Sequence, residues 1–595
     1  MALASFAQAS LVASVQQHFL RAVARLGLLP GVAGDARVEA DSPLRELLLE
    51  RYPGFRETLM GGDVPPVEEP DLDGEFTAEQ MGRWYEAFLG RAARQSQGAF
   101  YTERPMIRRL LAEPLEHPHP RLLDPAMGCG AFLSEALAMR APDSPEARWN
   151  FVVTSLFGVD RDPMAREIAV LALWLQAGHP EGDPRLLLRN LRVGNSLLPP
   201  PSGIDWAQDF PEPMAEGGFT AVVGNPPFVN VERLDAESKA RYRAAFPDLQ
   251  KRFDLFVPMV SQALDLTRPD GHLALVLPQG FLNQAYAEPL RRRVLEESTL
   301  LRLEASDFPG AAVQTVLLTA LKAPPTLEHR IQLAASEPET LPQAPLSRLP
   351  EARIPSRGGE AFAIALSAFE RGIPLGEVAF ATWGVRGVPI ATFHRDSSDH
   401  PSCRPMIKGD GIHPYRVSWG GKYLRYEPEL LYRPLFPELF EGEKIVLRKV
   451  SGRRGLVAAL DREGYYTDDS VLCCQLRRQL EGLPESLARR YGGSRRDAAP
   501  VDATRDGYDL PILLAVLNSR IGAMVFEMLL GNGLNVYPAA VMRLPLPPYD
   551  AGRFAVIRSL VERRQAASPE EAANLDRILE TQLAVLYGVD ATALV

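Results

Sequence analysis

The chain has 595 residues, 46% hydrophobic and 24% charged, with a formal net charge of −10. That length corresponds to about three to four domains and buries ample core without disulfides or metal. Its 4 cysteines, Cys129, Cys403, Cys473 and Cys474, show neither a CxxC pair nor a Cys/His zinc spacing, which argues against a secreted disulfide framework and a structural zinc site. The first twenty residues lack the basic region of a signal peptide, and no apolar run approaches the roughly 20 residues of a membrane span. A soluble protein of the cytoplasm is expected. The acidic balance argues at first against a nucleic-acid partner, so the distribution of charge has to be read segment by segment.

Residues 1–97 read as a helical module, with apolar positions at helical spacing in Phe6–Leu28, Leu44–Tyr52 and Met81–Leu89. Over 1–98 there are 9 Arg, no Lys and 14 Asp plus Glu, near −5, which suits packing or docking better than a DNA grip. From 98 to 325, short apolar runs ending in Gly, Asp or Asn alternate with helical patterns. Arg121–Leu123, Leu156–Val159, Phe219–Val223, Leu273–Leu277 and Val316–Leu321 are the strand candidates. Runs without polar alternation, separated by helices, predict a mostly parallel α/β sheet. Residues 326–374 suit a connector, Pro-rich and then helical over Ala361–Arg371. Residues 375–550 read as irregular and β-rich, with a helix over Leu510–Leu529, and 551–595 as a closing helical pair.

Four motifs in the α/β region carry chemistry. The first runs from Leu122 through Asp124, Pro125, Ala126, Met127, Gly128, Cys129 and Gly130 to Phe132. It reads as a strand, a glycine turn that lets a ligand approach the backbone, and a helix. The second is Phe157-Gly158-Val159-Asp160 followed by Asp162-Pro163. An acid at a strand end one unit beyond a glycine loop can accept from ribose hydroxyls; Asp160 or Asp162 can instead cap the helix that Pro163 opens, and Asp160 is taken as the ribose ligand and Asp162 as the cap. The third, Val193-Gly194-Asn195-Ser196, offers a polar side chain for an adenine ring or forms an ordinary turn. The fourth is Gly224-Asn225-Pro226-Pro227-Phe228. Two prolines fix φ just past a buried strand and hold the Asn225 amide and the Pro226 carbonyl in place. Both oxygens can accept from an exocyclic amine, and the Phe228 ring can stack on a planar base.

This constellation resembles the adenine-N6 DNA methyltransferases of restriction–modification systems, of the Eco57I-type and TaqI-like group. The Asp124–Phe132 run is similar to their S-adenosylmethionine loop, and Asn225–Phe228 to their catalytic Asn-Pro-Pro-aromatic motif. Gly98-Ala99-Phe100-Tyr101-Thr102 resembles the element preceding the loop, with Glu103 where the group has proline. The resemblance implies a Rossmann-like methyltransferase domain over 98–325 that binds S-adenosyl-L-methionine. It implies that Tyr101 and Thr102 border the methionine part, Asp160 takes the ribose and Asn195 lies near the adenine. Asp254, in Arg252-Phe253-Asp254-Leu255, is expected to cap or anchor a loop. Phe308 resembles the second aromatic wall for a flipped base and could equally be core.

Residues 375–550 resemble the TaqI-like specificity domain, through Pro405–Ile412, Lys444–Lys449, Leu517-Asn518-Ser519 and Val541–Pro547. Over 401–462 there are 12 Lys plus Arg against 7 Asp plus Glu, near +5. Lys408, Arg448 and Lys449 are candidate double-stranded DNA contacts, among cations interleaved with Tyr415, Trp419, Tyr423 and Tyr426. The expected enzyme flips an adenine out of the duplex and methylates its N6 amine, in a restriction–modification or phage-defence setting. Residues 1–238 contain no lysine for a PD-(D/E)xK nuclease, so cleavage is expected from a separate nuclease or defence complex. An amino-methyltransferase acting on ribosomal RNA or on protein glutamine, and a non-catalytic DNA-binding subunit, are the competing expectations.

Overall fold

The computed structural model describes residues 102–594, apart from 141, 179–181, 248, 250–251, 307–313, 335–338, 388, 451–454, 481–506 and 532–534. The helical module expected over 1–97, and the site candidates Tyr101 and Phe308, lie outside the described residues. The chain divides into two compact units near residue 331, with Leu282–Gln284 grouped with the second.

In the first unit, the apolar runs form the expected sheet. Its strands are β1 (Leu122–Asp124), β2 (Leu156–Asp160), β3 (Leu191–Val193), β4 (Phe219–Gly224), β5 (Thr267–Pro278), β6 (Thr299–Ser306) and β7 (Thr315–Leu321). They lie in the order β3-β2-β1-β4-β5-β7-β6. The first five are mutually parallel, and β7 runs antiparallel to both β5 and β6. Leu122, Leu123, Ala221, Val222 and Val223 are fully buried, which is why these strands carry no polar alternation. Helices α1 (Arg104–Leu111), α2 (Ala131–Arg140), α3 (Pro145–Ser155) and α4 (Pro163–Ala177) supply Ile107, Leu110, Leu133, Val152, Ala169 and Leu173 to one core with β1, β4 and β5. Helices α5 (Ala236–Ala245), α6 (Phe256–Leu266) and α7 (Glu288–Glu297) complete the elements needed below.

The strand order determines where a ligand can sit. After β1 the chain builds outward through β2 and β3, then returns to place β4 on the other side of β1. The connections leaving β1 and β4 therefore diverge, and a crevice opens at the carboxyl ends of these two strands. Asp124 ends β1 and Gly224 ends β4.

The second unit is β-rich, as expected. One four-stranded antiparallel sheet has the order Ala379–Trp383, Val471–Leu476, Lys444–Arg448, Ala458–Asp461. Another contains His394–Arg395, Lys422–Arg425, Cys403–Ile407 and Tyr466–Thr467. Met406, Leu424, Phe436, Leu439, Phe440, Val446, Tyr466 and Cys473 share their core. Two expectations change. The span expected as a connector carries the strands Arg330–Ala334 and Glu339–Pro342 as well as a helix, Gly359–Arg371. The single helix expected over Leu510–Leu529 is broken, with a bend of 66° between Leu510–Asn518 and Arg520–Leu530. Ser519 makes the break: its backbone is extended, and its hydroxyl accepts from the Gly522 N–H, so it starts a new helix. Both arms are apolar and buried, and periodicity alone cannot register a cap between them.

Candidate active site

At the end of β1, the chain turns through Gly128 (φ 53°) and Gly130 (φ 81°), backbone conformations that favour glycine. The two glycines serve different ends. A Cβ on Gly130 would meet the Ala169 Cβ of α4 at 3.0 Å, so this residue lets α2 start close against α4. A Cβ on Gly128 would have nothing within 4 Å, so its backbone faces open space.

Asp160 at the end of β2 reaches back to this turn. The Gly128 N–H donates to its Oδ2 at 2.9 Å, and the Asp162 N–H donates to its Oδ1 at 2.8 Å. Each carboxylate oxygen retains acceptor capacity beyond one backbone bond, and the residue is only partly covered. Asp160 thus supports the glycine turn, and its carboxylate oxygens retain acceptor capacity. Burial raises its pKa, against the lowering effect of the Asp162 and Gly128 N–H groups.

Asp124 is 1% exposed and accepts from the Ala126 N–H at 3.0 Å. Burial pushes its carboxyl up to about 8; the Ala126 N–H opposes the rise and Asp160 adds to it. A carboxyl near 3.8 when unfolded and near 8 when folded keeps its proton only in the native state across that interval. Its contribution to stability is therefore fully present below about pH 4 and is lost as pH rises towards 8. Thermal melts of Asp124→Asn without cofactor are expected to show a flatter fall between pH 5 and 8 than wild type. The slope that remains belongs partly to Asp160. An unaltered slope would contradict the assignment.

β4 ends beside Asp124. Gly224 has φ 145°, and a Cβ there would lie 2.6 Å from Asp124 Oδ1, so only glycine lets the two strand ends approach this closely. Beyond it the chain runs Asn225-Pro226-Pro227-Phe228, then pairs with 253–255: the Val231 N–H donates to the Phe253 carbonyl and the Leu255 N–H to the Val229 carbonyl. The Tyr286 hydroxyl donates to Asp254 Oδ2 at 2.6 Å, which makes Asp254 the expected anchor. Val229, Val231, Phe253, Leu255 and Tyr286 join one apolar cluster, so the far end of the motif loop is also held. Phe228 is half-buried against the sheet core.

Asn225 Nδ2 donates to Thr102 Oγ1 at 3.2 Å. Thr102 is 4% exposed and lies two residues before α1. That helix is tied to α2 through Glu135, which is 4% exposed and accepts from Arg104 at 2.7 Å and Arg108 at 2.5 Å. Sequence reasoning did not find Glu135 or the Thr102–Asn225 bond, because each joins segments far apart in the chain. Asn195 is buried, with Nδ2 donating to the Tyr242 hydroxyl of α5 and Oδ1 accepting from the Leu197 N–H, both at 3.0 Å. Pro125, Ala126 and Phe132 lie in or just after the β1 turn, Phe132 within the core.

In the second unit, the three candidate DNA contacts are placed differently. Arg448 donates through Nε to the Ile412 carbonyl at 2.8 Å, a bond that ties its strand to the neighbouring two-stranded ladder of Ile412–His413 and Arg416–Val417. Lys408 precedes the Gly409–Gly411 turn. Lys449 lies over the face of Trp383, 4.9 Å from the ring centroid. The stretch containing Arg453 and Arg454 lies outside the described residues.

Comparison with known proteins agrees with both units. Residues 154–310, which include Asp160, Asn195 and Asn225–Phe228, match the Eco57I restriction-modification methylase family. Residues 404–485 match the TaqI-like C-terminal specificity domain. Type II methyltransferase M.XhoI of Xanthomonas vasicola is 42% identical over 82 residues, 14% of this chain and 15% of that protein. Type II methyltransferase M.PaeR7I of Pseudomonas aeruginosa is 26% identical over 234 residues, 36% of this chain and 37% of the relative. The chain thus spans little more than a third of these relatives at most. Among solved structures, the type IIL restriction-modification enzyme MmeI, determined in complex with DNA, shares the fold at TM-score 0.53 and 14% identity over 90% of this chain and 81% of that one. The chain thus carries an Eco57I-type methylase match followed by a TaqI-like specificity-domain match, in the order that its motifs led us to expect.

Proposed function

We propose that the chain transfers a methyl group from S-adenosyl-L-methionine to the N6 amine of adenine in double-stranded DNA. The setting is the cytoplasm of a cell with a restriction–modification or phage-defence system, and a separate nuclease carries any cleavage. The observation that carries this reading is the approach of two loops. The glycine turn after β1 and the Asn225–Phe228 loop after β4 leave the sheet side by side, with Gly224 against Asp124. A cofactor held by the first therefore lies next to an amine held by the second.

The residues suit such a cofactor. Gly128 leaves its backbone open to a ligand, and Asp160 keeps acceptor capacity for ribose hydroxyls. The cofactor, when bound, supplies an electrophilic methyl group on a sulfonium. This chain supplies position. Pro226 and Pro227 fix the loop, and Thr102 accepts from Asn225 Nδ2, so the amide's carbonyl is turned away from Thr102 and can accept from the target amine. The Pro226 carbonyl offers a second acceptor. Two acceptors on one amine draw its lone pair towards the transferred carbon, and Phe228 gives the base a face to stack on. Preorganised acceptors of this kind act on charge that develops during reaction.

Modification-sensitive sequencing of DNA from a methylation-free host expressing the full chain tests the reading. N6-methyladenine at one short motif is expected. N4-methylcytosine would overturn the adenine assignment but keep the amine chemistry. Unmodified DNA, with methyl transfer to RNA or protein in vitro, would overturn the DNA reading.

A further inference from the structure

The second unit carries a continuous strip in which cations are held by aromatic faces. Lys449 Nζ lies 4.9 Å from the Trp383 ring centroid. Tyr537 packs edge-on against the same indole, with centroids 5.9 Å apart. Arg433 donates to the Trp383 carbonyl at 3.1 Å and to the Thr382 hydroxyl at 2.9 Å. Arg433 also pairs through both its backbone groups with Arg386. The Arg386 guanidinium lies 5.8 Å from the centroid of Tyr432. Arg386 is exposed, Tyr432 is 75% exposed and Tyr537 45%.

These cations are arranged differently from several others in the unit. Lys422 pairs with Asp396, Arg425 with Glu427 and Arg462 with Glu443, so their charge is largely neutralised at home. Among the described residues no carboxylate pairs with Arg386, and Lys449 is paired with Asp469 only loosely, at 3.7 Å against 2.8 Å for Arg425–Glu427 and 2.7 Å for Arg462–Glu443. An aromatic face orients a cation through its quadrupole without cancelling the net charge. The strip therefore presents oriented positive charge beside exposed tyrosine rings and hydroxyls. That chemistry fits a polyanion whose phosphates take the cations and whose sugars pack on the rings.

We infer that Arg386, Lys449, Tyr432 and Tyr537 form the face of the second unit that holds the DNA backbone. This rests on the DNA reading given above and adds the residues that grip the duplex. Lys449 is shared with the candidates taken from the sequence, whereas Arg386, Tyr432 and Tyr537 are new. The strip supplies affinity and orientation and carries no base readout.

The test uses the full chain and a fluorescent random-sequence DNA duplex, titrated at several salt concentrations. Arg386→Ala and Lys449→Gln are each expected to weaken binding and to make the dependence of log affinity on log salt shallower by about 1. Tyr432→Ala is expected to weaken binding about fivefold with little change in that slope. Radiolabelled S-adenosylmethionine binding and the melting temperature of each variant should match wild type. Variants with wild-type affinity and slope would overturn the strip while leaving the methyltransferase reading intact. A wild-type protein that binds the cofactor but no duplex would overturn both. A variant that melts early is replaced by Arg386→Gln or Tyr432→Phe, which keep the packing and remove only the charge or the hydroxyl.

Discussion

Asn225→Ala is expected to lower the rate of methyl transfer by about 10²- to 10³-fold or more, with cofactor binding retained. The expectation follows from where the amide sits. It follows a strand whose residues Ala221, Val222 and Val223 are fully buried, and two prolines bound it on the far side. The loop keeps its path without the side chain, so what is lost is the acceptor and not the fold. Thr102→Val sharpens the test. Valine matches threonine in shape but cannot accept from Asn225 Nδ2, so the amide loses the bond that sets which of its ends faces the amine. A fall in kcat of about 5-fold, restored by Thr102→Ser, is expected, because a net hydrogen bond is worth about 1 kcal/mol. Single-turnover methylation separates this from an effect on cofactor affinity. An active Asn225→Ala enzyme would overturn the catalytic assignment, and a fully active Thr102→Val enzyme would overturn the positioning role.

The second large effect lies in the core of the other unit. Lys444 and Asp461 pair at 2.5 Å, and both side chains are 0% exposed. Lys444 also donates to the Phe440 carbonyl, and Asp461 accepts from the Glu463 and Tyr465 N–H groups at 2.9 and 3.0 Å. The pair joins adjacent strands, opposite each other in register. Lys444→Met removes one charge and leaves the other buried, which costs about 3–5 kcal/mol. Denaturant titration should show the transition of this unit moving to lower concentration. Replacing both partners, Lys444→Met with Asp461→Leu, is expected to recover part of that loss. It does not recover all of it, because the 461–465 turn then loses the carboxylate that accepts two of its backbone N–H groups. A single mutant as stable as wild type would show that the pair is not buried in solution.

The same contrast separates what was legible in the sequence from what was not. The strands of the first unit could be read because burial on both faces demands continuous apolar runs, as in Phe219–Val223. Asp124, Gly128, Asp160 and Asn225 could be read because each depends on its immediate neighbours: a strand end, a turn, a proline. β6 escaped notice because its Arg302 and Glu304 break the apolar run; Arg302 pairs with Glu113 and Glu304 with Arg109, partners almost two hundred residues away. The break at Ser519 escaped because both flanking arms are apolar. The basic count over 401–462 marked a region but could not rank its residues. Arg448 donates one N–H to a backbone carbonyl, and Lys449 sits on an indole contributed by a strand more than sixty residues earlier.

By itself, then, the sequence determined the order of elements, the two loops proposed to carry the chemistry and the families they resemble. Each of these is written in short runs whose spacing the backbone must obey. The tertiary structure decided which loops meet and which charges remain available. It brought Gly224 against Asp124, gave Thr102 to Asn225, buried Lys444 with Asp461 and laid Lys449 on Trp383. Net charge, −10 over the whole chain, carries no such information, because a charge acts only after its partners are known.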